Sequence, residues 1–150
     1  MIRNLKQNDM TSIRQAVESA IRQTGLQMIA VYLHGSYGTE YMRDDSDIDL
    51  AFLSERPLTF DESIAFSVAL AQAHRGDNLD TVALRQCDVV FVAQVITGGE
   101  RIYTGDELAA QRFEMTALSR YARLNEERAA IIADIRQRGR VYGSAALRHE

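Results

Sequence analysis

The chain has 150 residues, 46% of them apolar and 25% charged, with a net charge of −4 and a single cysteine. That length suits one domain with a substantial core, and the charge balance excludes the basic footprint of a general nucleic-acid binder. Lone Cys87 excludes an internal disulfide, no apolar run is long enough to span a bilayer, and Met1 to Asp9 lacks the apolar centre of a signal peptide. A cytoplasmic location with no membrane contact is therefore expected.

Met10, Ile13, Val17, Ile21 and Thr24 recur at helical spacing, and Gly25 supplies a stop, which predicts a first helix. Met28 to Leu33 is a short apolar run, read as a buried strand, leading into Gly35-Ser36. Ser36 to Glu40 is expected to form one helical turn and Tyr41 to Ser46 a loop. A second strand follows from Ile48 to Leu53. Arg56-Pro57-Leu58 breaks the pattern, and Thr59 with Glu62 forms a capping-box signature for a helix to about His74, closing at Gly76. Asn78 to Leu84 reads as a third strand, with Asp80, Val82 and Leu84 in one phase. Cys87 to Thr97 has strand-like Val and Ile, but Val89, Val92, Ala93 and Ile96 make a helical stripe ended by Gly98-Gly99. Helix is predicted there. Arg101 to Tyr103 is a short extended piece.

Asp106 then caps a long helix, in which Ala117, Tyr121, Leu124, Arg128, Ile131 and Ile135 alternate spacings of four and three until Gly139. Such a helix extends about 50 Å, longer than a domain of this size needs for itself. Most of the stripe is expected to pack on the core, with its far end open to a partner helix. All eight basic residues from Asp106 onward are Arg. They read as a solvated face with some ion pairs, the alternative being a dedicated anion site. The expected organisation is one domain: a core over about 26–105, a helix over about 106–138 and a loose tail at 139–150.

The chemistry concentrates between the first two strands. Gly35-Ser36 is followed by ten residues and then Asp47-Ile48-Asp49. Gly-Ser after an apolar strand can present backbone N–H groups and a hydroxyl to phosphate. Alternation on a strand points Asp47 and Asp49 to one side, about 6.6 Å apart along it. At an effective dielectric near 20 they repel by roughly 2–3 kcal/mol, which a cation relieves. Oxygen ligands of this kind suit Mg²⁺ held together with substrate phosphates. A solvated acidic turn with Asp44 and Asp45 is the competing reading of the carboxylates alone. A calcium loop is excluded, since its sixth position would be Leu50 and its twelfth Arg56. No Gly-Lys-Ser/Thr follows Gly35, so a Walker loop is excluded too. Asp80 reads either as a strand-end cap or as a third acidic group that completes a metal site or takes a proton from an acceptor hydroxyl.

With these motifs the chain resembles the polymerase-β-like nucleotidyltransferases, marked by Gly-Ser, a spacer, Asp-x-Asp and a third Asp on a later strand. More narrowly it is similar to the minimal nucleotidyltransferases of HEPN–MNT toxin–antitoxin pairs, over roughly Leu26 to Arg138. The run Ser46-Asp47-Ile48-Asp49-Leu50, the strand Asp80 to Leu84, and Gly99 to Tyr103 before an Arg-bearing helix carry that likeness. The resemblance implies an α/β (α+β) fold: a small mixed-sheet core flanked by helices, with a long C-terminal helix. It implies a cytoplasmic antitoxin enzyme that transfers AMP from ATP, the co-substrate, to a tyrosine of a cognate HEPN ribonuclease toxin, with which it forms a hetero-oligomer. Gly35 and Ser36 would hold the triphosphate; Asp47, Asp49 and Asp80 would be the catalytic and metal residues, binding two Mg²⁺ ions. The family's Arg shortly after Gly-Ser is replaced here by Tyr37-Gly38-Thr39-Glu40, so phosphate binding is expected to pass to Thr39, Arg43 or a distal Arg. His34 stands where an aromatic is frequent and is expected to pack before the turn.

Two other functions fit the same residues. One is nucleotidyl transfer to a small molecule such as an aminoglycoside, for which 150 residues leave little room to build an acceptor pocket. The other is a binding-only antitoxin that neutralises its partner by occlusion.

Overall fold

The computed structural model describes residues 2–35, 48–74 and 79–138, with side chains from residue 10. Among them the order is α1 (Ile2–Thr24), β1 (Met28–His34), β2 (Ile48–Ser54), α2 (Phe60–His74), β3 (Leu79–Ala83), a 3₁₀ turn (Leu84–Gln86), α3 (Val89–Gly98), β4 (Glu100–Thr104) and α4 (Glu107–Arg138). The four strands form one mixed sheet in the order β3-β2-β1-β4. β1 runs antiparallel to both β2 and β4, while β2 and β3 are parallel. α2 supplies the crossover that a parallel pair requires.

Local chemistry sets the ends of these elements. Gly25 closes α1 at a φ of 69°, and its N–H donates to the Ile21 carbonyl at 2.9 Å, a left-handed stop that suits glycine. At α2 the capping box forms reciprocally: Glu62 N–H donates to Thr59 Oγ1 at 3.1 Å, and Thr59 N–H to Glu62 Oε1 at 2.9 Å. Asp88 caps α3 by accepting from Phe91 N–H at 2.8 Å, and Asp106 caps α4 by accepting from Ala109 N–H at 3.0 Å.

Both faces of the sheet are covered, which is why β1 and β2 read as nearly continuous apolar runs. On one face Leu50, Phe52, Val31 and Leu33 pack with Ile13 and Val17 of α1 and Phe66 and Leu70 of α2. Alternation sends Ala30, Tyr32, Ala51 and Leu53 to the other face, against Val92 and Val95 of α3 and Ala110 and Ala117 of α4. Tyr32, almost wholly buried, donates its hydroxyl to Glu114 Oε2 at 2.6 Å, tying β1 to α4.

Three expectations are refined. The third strand is shorter than the span from Asn78 to Leu84, because Leu84 turns into the 3₁₀ segment. The helix expected over Cys87 to Thr97 begins at Val89, where Asp88 caps it. The stripe along α4 packs on the core only in its first half: Ala117 is buried and Leu124 half-buried, whereas Ile131, Ile132 and Ile135 are exposed. Length explains this correction. The helix spans about 48 Å, but the seven-residue strands beneath it reach only about 23 Å. The expected turn and loop over 36–46, and the tail at 139–150, lie outside the described residues.

Candidate active site

The end of β1 and the starts of β2 and β3 meet at one edge of the fold. Strand register places His34 opposite Asp49 in the antiparallel pair, and Asp49 beside Asp80 in the parallel pair. Three chemistry-bearing side chains thus stand abreast on neighbouring strands. All three belong to the phase of Tyr32, Ala51 and Val82, the face covered by α3. Together with Thr81, Val82 and Phe91 they line a cleft of about 390 Å³.

Asp49 is half-buried and Asp80 is exposed. Neighbouring strands lie about 4.8 Å apart, so at an effective dielectric near 20 two adjacent carboxylates repel by roughly 3 kcal/mol. A pair of carboxylate oxygen donors on adjacent strands, one half-buried and one exposed, is the donor chemistry of a hard divalent cation such as Mg²⁺. Gly35 shapes the same spot from the β1 side. Its φ is 81°, and a Cβ placed on it would stand 2.5 Å from Asp49 Oδ2. Only glycine lets the backbone approach that carboxylate and adopt that conformation. The residues present therefore fit a divalent cation, although no group of three or more metal-ligating side chains occurs among the described residues.

His34 packs edge-on against Phe91, ring centroids 5.5 Å apart at 86°. Burial pushes its pKa below the ordinary imidazole range, and the charge of Asp49 opposes that shift. Its Nε2 is buried without a hydrogen-bond partner among the described residues. The packing expected of His34 is thus observed, with an orphaned ring nitrogen at the cleft. Cys87 is half-buried, its Sγ donating to the Ala83 carbonyl at 3.3 Å, and burial pushes the thiol upward in pKa. A thiol kept protonated in this way is no nucleophile.

Of the residues singled out in the sequence, Gly35, Asp49 and Asp80 converge here. Ser36, Thr39, Arg43 and Asp47 lie outside the described residues. Phe91 as a wall of the site was not foreseen. Its only sequence signal is an aromatic beside the apolar stripe of α3, which does not say which strand end it will meet.

Comparison with known proteins agrees with this geometry. Residues 15–108 match the family model described as "Polymerase beta, Nucleotidyltransferase". The protein adenylyltransferase MntA of Shewanella oneidensis is 34% identical over 105 residues, which are 70% of this chain and 74% of that protein. The structure of a tri-AMPylated S. oneidensis HEPN toxin in complex with MNT antitoxin matches with a TM-score of 0.63 and 29% identity, over 87% of this chain and 98% of that one. A toxin–antitoxin structure with AMP-PNP matches with a TM-score of 0.67 and 30% identity, over 81% of this chain and 97% of that one. No helix among the described residues is long and apolar enough to cross a membrane. With a family match over more than half its length, on a mixed sheet that sets Asp49 beside Asp80 and against Gly35, the chain belongs to the polymerase beta nucleotidyltransferase family.

Proposed function

We propose that this chain is a cytoplasmic antitoxin that transfers AMP from ATP to a tyrosine hydroxyl of a cognate HEPN toxin, with pyrophosphate leaving. The observation that carries the reading is the juxtaposition of Asp49 and Asp80 on adjacent strands, with the Gly35 backbone against Asp49. The adenylyltransferase relative and the AMPylated-toxin complex support the choice of a protein acceptor.

In this reading Asp49 and Asp80, joined by Asp47, hold two Mg²⁺ ions. When bound, the metal supplies positive charge to phosphate oxygens and lowers the pKa of the attacking hydroxyl. Gly35 and Ser36 approach the triphosphate, with Thr39 and Arg43 as further phosphate contacts. Asp80 is the exposed member of the pair, and in this reading it would orient the incoming hydroxyl and accept its proton. Hydroxyl attack on the α-phosphate breaks the bond to the β-phosphate oxygen, so that the acceptor gains AMP and pyrophosphate departs. A site whose key carboxylate is exposed suits a tyrosine presented on a protein better than an enclosed small molecule.

The test is the intact mass of the neighbouring HEPN protein after incubation with this chain, ATP and Mg²⁺. Gains in steps of one AMP, absent with Asp49→Asn, support the reading; an unmodified partner under the same conditions overturns it. A second reading, neutralisation by occlusion, is favoured by the exposed Ile131, Ile132 and Ile135 of α4, an apolar patch that a partner would cover. Protection of cells by an Asp49→Asn variant would support it.

A further inference from the structure

A second cleft, of about 350 Å³, opens beyond the other end of β3, between the 3₁₀ turn, the start of α3 and the first half of α4. It shares no residue with the cleft at Asp49 and Asp80. Leu84, Val92, Phe113 and Ala117 give it apolar walls, and three arginines line it: Arg85, Arg112 and Arg120. No carboxylate lines it. Arg85 is fixed in place, its Nε donating to the Ser54 carbonyl at 2.7 Å and its Nη2 to the Glu55 carbonyl at 3.1 Å. These bonds to neutral acceptors leave its charge uncompensated. The guanidinium groups of Arg112 and Arg120 make no hydrogen bond or ion pair among the described residues. Some other arginines are paired, Arg101 with Glu107 and Glu114 and Arg138 with Asp134, while Arg123 and Arg128 further along α4 are unpaired among the described residues but line no cleft with Arg85. The acids nearest in sequence to its lining are engaged elsewhere: Asp88 caps α3, and Glu114 accepts from the Tyr32 hydroxyl and pairs with Arg101.

Three uncompensated charges beside apolar walls, in a chain of net charge −4, fit an anionic ligand with an apolar part. We infer that this cleft docks an extended acidic segment of a partner protein, with the pattern acid-x-apolar-x-acid. The spacing selects that pattern. Arg112 and Arg120 are eight residues apart on α4, about 12 Å along the helix. On an extended strand, residues four apart are about 13 Å apart and point to the same side, with the residue midway between them. Two carboxylates so spaced meet Arg112 and Arg120, while the apolar side chain between them enters towards Phe113. Arg85, across the cleft, holds the near carboxylate or the segment's carbonyls. A nucleic-acid strand is the poorer fit, since a chain of net charge −4 lacks the broad basic footprint that such a strand requires.

The probe is a fluorescein-labelled peptide, Gly-Gly-Glu-Ser-Leu-Ser-Glu-Gly-Gly, titrated with the full chain and followed by anisotropy. Saturable binding is expected, weakened roughly tenfold or more by Arg112→Ala with Arg120→Ala, by Glu→Gln in the peptide, and by added salt. Replacing the peptide's Leu with Ser is expected to weaken it as well. Both arginines are exposed on one helix, where alanine is a good helix former, so the double variant should keep its circular dichroism and melting temperature. Absence of saturable binding, equal binding of the neutral peptide, or unchanged binding by the folded double variant overturns the inference. So does displacement of the peptide by a single-stranded oligonucleotide at lower concentration than by unlabelled peptide, which would assign the cleft to nucleic acid.

Discussion

A Cβ on Gly35 would stand 2.5 Å from Oδ2 of Asp49, so the turn after β1 and the carboxylate at the start of β2 are fitted to each other. The contact joins the two halves of the Gly-Ser…Asp-x-Asp signature, fourteen positions apart, into one structure. Residue 35 must be small for Asp49 to keep its place, and must tolerate a φ of 81°.

Gly35→Ala tests that fit. The added methyl displaces Asp49 and strains the backbone, at a cost of about 1–2 kcal/mol. Nucleotidyl transfer should fall roughly hundredfold or more, because the carboxylate no longer holds its position. Thermal melting beside a transfer assay separates the small loss of stability from the larger loss of rate.

Asp80→Asn changes an exposed residue at the head of a strand, so the melting temperature should be unchanged. Transfer should nevertheless fall roughly hundredfold or more, through loss of the charge that the proposed mechanism assigns to metal binding and the acceptor hydroxyl. Unchanged transfer would remove Asp80 from the site and leave it a strand-end residue.

Tyr32→Phe probes the tie between β1 and α4. Burial, and then Glu114, push the Tyr32 phenol far above its ordinary pKa, so it stays protonated and donates to Glu114 Oε2. Removing the hydroxyl leaves part-buried Glu114 with Arg101 alone and should cost about 1–2 kcal/mol in urea unfolding.

The capping box at α2 gives a pH signature. Arg56, followed by the Thr59 N–H, holds the Glu62 carboxyl at about 2, below its ordinary 4.5. A carboxyl with a depressed folded-state pKa contributes stability that is present above 4.5 and lost as pH falls from there towards about 2. Arg56→Ala should lower the melting temperature slightly at neutral pH and flatten its decline below 4.5, so that variant and parent converge towards about pH 2. A parallel slope for variant and parent would remove Glu62 as a source of acid sensitivity.

Truncation after Glu127 removes the exposed Ile131, Ile132 and Ile135, leaving the buried Ala110 and Ala117 in place. The melting temperature should move by no more than about 2 °C, since the lost residues touch little of the core. Association with the proposed HEPN partner, measured by size-exclusion chromatography, should weaken, because the apolar patch that a partner would cover is gone.

Much of the fold was legible because its signals are local. Periodicity and Gly25 marked α1, Thr59 with Glu62 marked α2, and Asp106 marked the start of α4. The extent of core packing along α4 was not legible, since the apolar stripe repeats unchanged to Ile135 while the sheet beneath it ends sooner.

Along the linear chain, Gly35-Ser36, Asp47, Asp49 and Asp80 already point to phosphate and metal chemistry, because residue types and their spacing are local properties. Tertiary packing set Asp80 beside Asp49 rather than elsewhere along the edge, through the parallel register of β2 and β3. It alone brought Phe91 against His34, and gathered Arg85 with Arg112 and Arg120 around one cleft. Strand register and helix packing are settled by which apolar faces bury each other across the fold, and no single stretch of sequence states that outcome.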